Sequence, residues 1–478
     1  MPSLRRNIVY QFLYELLIVF IPLFTIPYVS RVLGAENIGL FSYTYAVANY
    51  FVLFANLGIK NYGSRTIAMV RNNKEELNRN FSEILSIHII FSIIVIFVYL
   101  VLLFFFVEDN LVIFLIQSIY IFAAVFDINW FFFGIEKFKL TVGRNTLVKI
   151  LSVFLVLVFV KTQTDLWIYA LILALSVFVG QSVVWFALKQ YVSWRRPSWA
   201  NMKQHIRPLF VLFLPILALS LYKYMDKIML GSISSNVQVG FYENAEKIIN
   251  VPMSLIMAFG VVLMPRIANM VTSKDKGEVF KLIDMSMEAV MLLAIAISFG
   301  LAGISFVLAP IFFGYEFEEC GILIMGLAVT VPFMAFANVI RTQYLIPYKE
   351  DKIFVVSLFL GAAVNLIVNI ILIPYMAARG AVIGTIFVEI IVCIYQSYFV
   401  RKKIFIKKYL LNTIPPILIG IVMFVFVFQI GNVMNINIVT LILQLVVGMF
   451  IYAVGVFLLM LKSRTRLMVL LRKFVVRY

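Results

Sequence analysis

The sequence predicts an all-α polytopic membrane protein of about fourteen transmembrane helices. Three observations lead there. Apolar runs of bilayer-crossing length recur along the whole chain, 63% of its 478 residues are hydrophobic against 13% charged, and the bases collect on alternate loops. A hydrocarbon core ~30 Å thick takes ~20 apolar residues per helix, and the mean hydropathy is +1.03. Spans and short connections together use up the chain, so no aqueous domain is left over.

The first span, 8–32, follows Arg5 and Arg6. It is too long for a signal-peptide core and lacks a small-residue cleavage site, so it reads as a retained helix. The second, 38–59, begins after a Leu33-Gly34 break. Spans 82–107 and 110–134 are parted by the acidic turn Glu108-Asp109, and spans 144–161 and 165–188 by a turn beginning at Thr162. A serine-containing turn separates 208–231 from 239–264, and Glu316-Phe317-Glu318-Glu319 separates 284–313 from 320–345. Spans 353–375, 380–400, 409–430 and 437–461 complete the set.

Loops 60–81, 189–207, 265–283 and 401–408 carry the bases. Assigning loops alternately to two sides leaves only Arg31, Lys161, Lys223, Lys227, Lys247 and Arg379, of 40 Lys and Arg, off the side of the two termini. Basic loops face the cytoplasm, which gives an N-in, C-in topology. The net charge of +17 is therefore an orientation signal rather than a nucleic-acid footprint. Residues 462–478 alternate basic and apolar clusters, as a cytoplasmic amphipathic tail does.

A weak repeat runs through the chain. Leu33-Gly34 is followed by a short polar stretch, Ile38-Gly39 and an aromatic-rich start ending at Ala46; Leu230-Gly231 is followed by Val239-Gly240-Phe241-Tyr242 and Ala245. The offset covers six spans, an even number, so the copies share one orientation. Two parallel six-helix lobes, 1–200 and 201–405, are expected around a central cavity, with two extra helices over 406–461. Pro22, Pro27, Pro215 and Pro252 are the expected kink sites.

Ionisable side chains inside spans are costly and default to functional candidates. Lys223, Asp226 and Lys227 share one helix face by their i, i+3, i+4 spacing, and Glu243, Glu246, Lys247 and Asn250 do so in the next span. Two arrangements satisfy the pattern: both stripes line a hydrated cavity, or the acids neutralise their own lysines in packed interior. Arg31, Glu15, Asp127, Asn49, Asn56 and Asn338 are further candidates, and amides serve equally as interhelical glue. His88, His205, Cys320 and Cys393 lie too far apart in sequence to suggest a metal site.

Ile26-Pro27-Tyr28-Val29-Ser30-Arg31-Val32-Leu33-Gly34-Ala35-Glu36-Asn37-Ile38-Gly39-Leu40-Phe41-Ser42-Tyr43 and Asn56-Leu57-Gly58-Ile59-Lys60-Asn61-Tyr62-Gly63-Ser64-Arg65 resemble the N-terminal pattern of the multidrug/oligosaccharidyl-lipid/polysaccharide exporter superfamily, in particular its Wzx-type O-antigen, capsule and exopolysaccharide flippases. Tyr242-Glu243-Asn244-Ala245-Glu246-Lys247-Ile248-Ile249-Asn250-Val251-Pro252 resembles a stretch shared with lipid II flippases. There Lys247 takes the place of a cavity arginine, keeping the charge and losing bidentate phosphate geometry.

The resemblance implies export of undecaprenyl-pyrophosphate-linked oligosaccharide across a bacterial cytoplasmic membrane, with no cofactor. Arg31, Lys223, Lys227 and Lys247 would attract the pyrophosphate. Asp226, Glu243, Glu246, Glu15 and Asp127 would tune those bases or carry a coupling H+ or Na+, and Asn49, Asn56, Asn250 and Asn338 would line the sugar path. A polymerase and a chain-length regulator are the implied protein partners. No Gly-Lys-Ser/Thr phosphate loop is present, so an ion gradient or the membrane potential would supply the energy. The chief alternative is a drug or cation antiporter of the same superfamily, which needs acidic, aromatic walls without competing bases. A membrane polymerase is disfavoured by the short external loops, and a channel by the lack of a pore loop.

Overall fold

The computed structural model describes the backbone of residues 2–272, 276–462 and 467, and their side chains except at 2–23, 138–140, 142, 222, 272 and 276. Among these residues the secondary structure is helical and there is no strand. The chain divides into two units, Met1–Gly231 and Ser232–Tyr478. Beyond Lys462 and Leu467, the amphipathic tail expected over 462–478 lies outside the described residues.

The first unit holds α1 (Pro2–Asn56), α2 (Ile59–Val70), α3 (Lys74–Phe106), α4 (Leu111–Val125), α5 (Asn129–Gly134), α6 (Phe138–Phe159), α7 (Leu166–Leu188) and most of α8 (Trp199–Ile233). Gly34 interrupts α1 with φ 77° and ψ 172°, a conformation only glycine adopts without strain. It separates the first two expected spans. The loop expected over 60–81 is instead mostly helix. Asn73 caps α3 by accepting from the Glu75 and Glu76 N–H groups at 3.1 and 3.3 Å, and those two acids face the positive helix end. Charged residues there extend helices beyond the bilayer rather than ending them. In the same way α8 starts at Trp199, inside the expected loop 189–207, and α9 reaches Thr272.

The expected fourth span, 110–134, is broken. Helix α4 closes with Phe126 and Asp127 N–H groups bonded to the Ala123 and Ala124 carbonyls, and α5 restarts at Asn129. Around the break, Trp130 stacks on Phe81 at 5.5 Å and Phe131 meets Phe81 edge-on at 4.9 Å. They belong to a buried cluster with Ile67, Leu77, Leu188 and Leu209.

The second unit contains α9 (Asn236–Thr272), α10 (Lys276–Phe313), α11 (Cys320–Ala328), α12 (Thr330–Ile340), α13 (Asp351–Val400), α14 (Ile406–Val433) and α15 (Ile438–Lys462). A π-helical turn, Arg341–Leu345, continues α12. Ala377 interrupts α13 at φ 49°, a strained value for a residue with a Cβ, and the Ala378 N–H donates to Gln238 Oε1 at 3.2 Å. The α14–α15 pair packs on α10. Gln444 Nε2 donates to the Val427 carbonyl at 2.9 Å, and Tyr452 Oη to the Leu292 carbonyl at 2.7 Å.

Among the described residues, eleven helical segments are long and apolar enough to cross a membrane. Counting the two interrupted at Gly34 and Ala377 as pairs gives thirteen. Helix α6 occupies the place of the expected fifth span without meeting that measure. The helices expose large apolar side chains outward, with Phe104 82% and Phe186 84% accessible. Such a surface fits hydrocarbon and not water, so the chain is a multi-pass membrane protein.

Candidate functional site

In the first unit, α8 stays helical through Pro208 and Pro215 and presents the expected charged stripe. Asp226 and Lys227 are buried, at 5% and 8% accessibility. Both engage other described residues. Lys223 is exposed, and its Nζ lies 5.4 Å over the Tyr224 ring. The stripe is therefore graded: one accessible ammonium beside a buried acid and base.

The second half of α1 faces this stripe with aromatics and amides. Tyr50 and Tyr224 meet edge-on at 6.0 Å, and Tyr50 Oη donates to the Ser220 carbonyl at 3.4 Å. Tyr45 packs edge-on to Tyr120 at 5.1 Å and lies within electrostatic reach of Lys223 and Lys227. Tyr50 lies within reach of Asp226. Tyrosine combines an apolar face with a hydrogen-bonding edge, which suits stacking on a hydroxyl-rich ring. Nothing in the sequence reading singled out these tyrosines. Tyr43, Tyr45, Tyr50, Tyr222 and Tyr224 flank the candidate residues in the chain and are the signal that could have found them.

Asn49 and Asn56 sit on the same part of α1, but their amide nitrogens donate to the carbonyls of Tyr45 and Val52 on their own helix, at 2.8 and 2.9 Å. Arg31 is exposed just before the Gly34 break and engages other described residues. The side chain of Glu15 lies outside the described residues.

Asp127 occupies the break between α4 and α5. Its Oδ1 accepts from the Asn129 N–H at 3.0 Å and from Asn129 Nδ2 at 2.6 Å, capping α5. Asn129 Nδ2 also donates to Gln181 Oε1 on α7 at 2.7 Å, and Arg144 Nη2 on α6 donates to Asn129 Oδ1 at 3.3 Å. His88 on α3 is fully buried within electrostatic reach of Asp127, and neither ring nitrogen finds a partner among the described residues. A discontinuous helix at membrane depth is tolerated where protein or a wet cavity satisfies its ends, and such breaks recur at ion sites. Arg144, which the charge count placed with the cytoplasmic bases, belongs to this network.

Nearer the expected cytoplasmic face, buried Glu83 pairs with buried His205 at 2.9 Å, and the other ring nitrogen of His205 lies 2.6 Å from Tyr62 Oη. This network ties α3, α8 and α2.

In the second unit, α9 pairs Lys247 with Glu243 at 3.1 Å, one turn apart, with side chains 32% and 14% accessible. Glutamate N-terminal to lysine is the better order for an i, i+4 pair. Internal pairing therefore holds for this lysine, and enough of its ammonium is accessible to meet a ligand. Glu246 is half-buried among described partners, and Asn250 is exposed. Asn338 is buried, and its Oδ1 accepts from Arg341 Nη2 at 2.7 Å. Among the described residues no three His, Cys, Asp or Glu gather as a metal site would require.

Residues 4–271, more than half of the chain, match the family model described as "Polysaccharide biosynthesis protein". The chain is 24% identical over 408 residues to a "Putative O-antigen transporter" of Shigella dysenteriae, covering 82% of this chain and 99% of that protein. It is 26% identical over 408 residues to the protein of the same description from Escherichia coli (strain K12), covering 84% and 97%. A solved structure of the lipid II flippase MurJ in an inward closed conformation shares the fold, with a TM-score of 0.73 at 15% identity over 94% of this chain and 97% of that one. With its helical architecture and helices long and apolar enough to cross a membrane, the chain belongs to the polysaccharide biosynthesis protein family.

Proposed function

We propose that this chain is a flippase, not an enzyme, that moves undecaprenyl-pyrophosphate-linked oligosaccharide units from the cytoplasmic to the outer leaflet of a bacterial cytoplasmic membrane. The carrying observation is the α8 stripe, where Lys223 lies over the Tyr224 ring and both Lys223 and Lys227 come within electrostatic reach of Tyr45, all within one unit. A diphosphate headgroup crossing bare hydrocarbon would pay many kcal/mol in lost hydration. Fixed ammonium groups with polar surroundings offset that cost, and tyrosine edges and faces suit the sugar. The relatives described as O-antigen transporters, and those described as a lipid II flippase and a glycan biosynthesis flippase, support the same cargo class.

Lys223, Lys227 and Lys247, with Arg31, are assigned to the pyrophosphate. Asp226, Glu243 and Glu246 tune those bases. Asp127 and Glu15 are the candidates for a coupling H+ or Na+, and Asn49, Asn56, Asn250 and Asn338 for the sugar path. Delivery outside would feed a polymerase and its chain-length regulator. A pocket for lipophilic cations is disfavoured by the lysines on α8 and α9.

The test is export in a bacterial strain deprived of its own flippase for the same repeat unit. Lys227→Ala and Lys247→Ala should each abolish surface polymer while membrane levels and elution profile stay normal. Full export by both variants would overturn the cargo assignment.

A further inference from the structure

We infer that Arg341 is an anion-binding residue that receives a lipid phosphate at the cytoplasmic end of the second unit. The inference rests on the proposed cargo and adds a residue that the charge stripes do not include. The tenth apolar stretch starts at Cys320, after the acidic turn, and ends in a charged loop where Lys349 and Lys352 flank Glu350 and Asp351. At 1.5 Å per residue, Arg341 lies ~30 Å from the outer end, at the depth where inner-leaflet headgroups meet hydrocarbon.

An arginine at that depth ordinarily extends its head outward to water. Arg341 is held the other way. Its Nη2 donates to Asn338 Oδ1 at 2.7 Å, one turn back toward the bilayer interior, and its guanidinium carbon lies 5.4 Å from the centre of the Phe354 ring on α13. Among the described residues it has no carboxylate partner, although it is half-buried. Stacked against one ring and anchored by one neutral amide, the guanidinium keeps most of its five N–H donors for another acceptor. A planar fork of that kind matches two phosphate oxygens at once.

Two further features converge on the same spot. The backbone from Arg341 to Leu345 is a π-helical turn, with the Ile346 N–H bonded to the Arg341 carbonyl at 3.0 Å, and such turns are frequent at functional sites. Asn338 Nδ2 is buried and finds no partner among the described residues, so a second donor stands beside the fork. Gly260 of α9 leaves room for it: a Cβ there would lie 2.9 Å from Asn338 Nδ2 and 2.8 Å from Thr342 Oγ1. The chemistry recognised is a phosphate ester held at a membrane surface, either a prenyl diphosphate or an ordinary anionic phospholipid.

The test uses the full chain purified in nanodiscs, with binding of undecaprenyl diphosphate and of phosphatidylglycerol read by native mass spectrometry. Wild-type protein should bind undecaprenyl diphosphate, Arg341→Gln at least about tenfold more weakly, and Arg341→Lys in between, since charge survives without the fork. Asn338→Ala should weaken binding a few-fold and guards against a folding defect in the arginine variants. Unchanged binding of undecaprenyl diphosphate and phosphatidylglycerol in the Gln and Lys variants overturns this inference alone and leaves the flippase reading intact. A wild-type protein that binds no undecaprenyl diphosphate overturns both. Loss restricted to phosphatidylglycerol supports a phosphate site and moves its occupant from cargo to bulk lipid.

Discussion

Gly231 of α8 lies against the ring of Tyr43 in α1 so closely that a Cβ at 231 would overlap the ring. These residues belong to the two copies of the Leu-Gly repeat, and within the first unit one copy's glycine accommodates the other copy's aromatic. Gly231→Ala should therefore destabilise the protein by about 1–3 kcal/mol through overpacking. Gly143→Ala is the control, because among the described residues nothing beyond its own helix backbone and chain neighbours lies within 4 Å of a Cβ there, and alanine favours the helix by up to about 1 kcal/mol. Thermal unfolding in detergent should fall for the first variant and hold or rise for the second. Equal melting temperatures would refute the packing argument.

The pair Glu83–His205 is buried on both sides. Removing one member strands the other, and breaking such a pair costs about 3–5 kcal/mol. Glu83→Ala or His205→Ala should lower stability by that order, whereas replacing both with leucine should cost less than the two single losses added. Tyr62→Phe should cost about 1 kcal/mol. A double-mutant cycle on thermal stability reads the coupling.

Glu243 neutralises Lys247 in a partly accessible pair, so its structural worth is under about 1 kcal/mol. Glu243→Gln should leave thermal stability nearly unchanged while freeing the ammonium. The expected result is a few-fold tighter capture of undecaprenyl diphosphate together with slower export, because a cargo held harder leaves later. Export faster than wild type would argue that Glu243 does not tune this lysine.

Asp127 has two separable roles. As the cap of α5 it stabilises a broken helix, and Asp127→Ala should cost about 1–2 kcal/mol. As a charge within reach of His88, bonded to the Asn129 that Arg144 also contacts, it is the coupling candidate. Asp127→Asn retains an oxygen for the cap, so its melting temperature should stay near wild type. Loss of export in Asp127→Asn with normal stability supports coupling, and normal export in that variant assigns Asp127 to structure alone.

Much of the architecture was legible because lipid imposes a local rule. Any stretch that crosses hydrocarbon must be helical and apolar over its own length, whatever surrounds it. Most of the spans, the break at Gly34, the reversal near 376–379 and the stripe Lys223, Asp226, Lys227 follow from near neighbours in sequence. The interruption at Asp127 was not legible, because the residues 110–134 are apolar almost throughout and the break depends on Asn129, Gln181 and Arg144 from three helices.

The sequence by itself determined a helical membrane protein, the clustering of its bases and the family resemblance, since each rests on composition or on contiguous motifs. Tertiary structure alone decided that Tyr45 and Tyr50 come within reach of Lys223, Asp226 and Lys227, and that Arg341 lies beside Phe354 of α13. Those relationships depend on the direction in which side chains leave neighbouring helices. That direction is set by close packing between residues far apart in the chain, which no local pattern encodes.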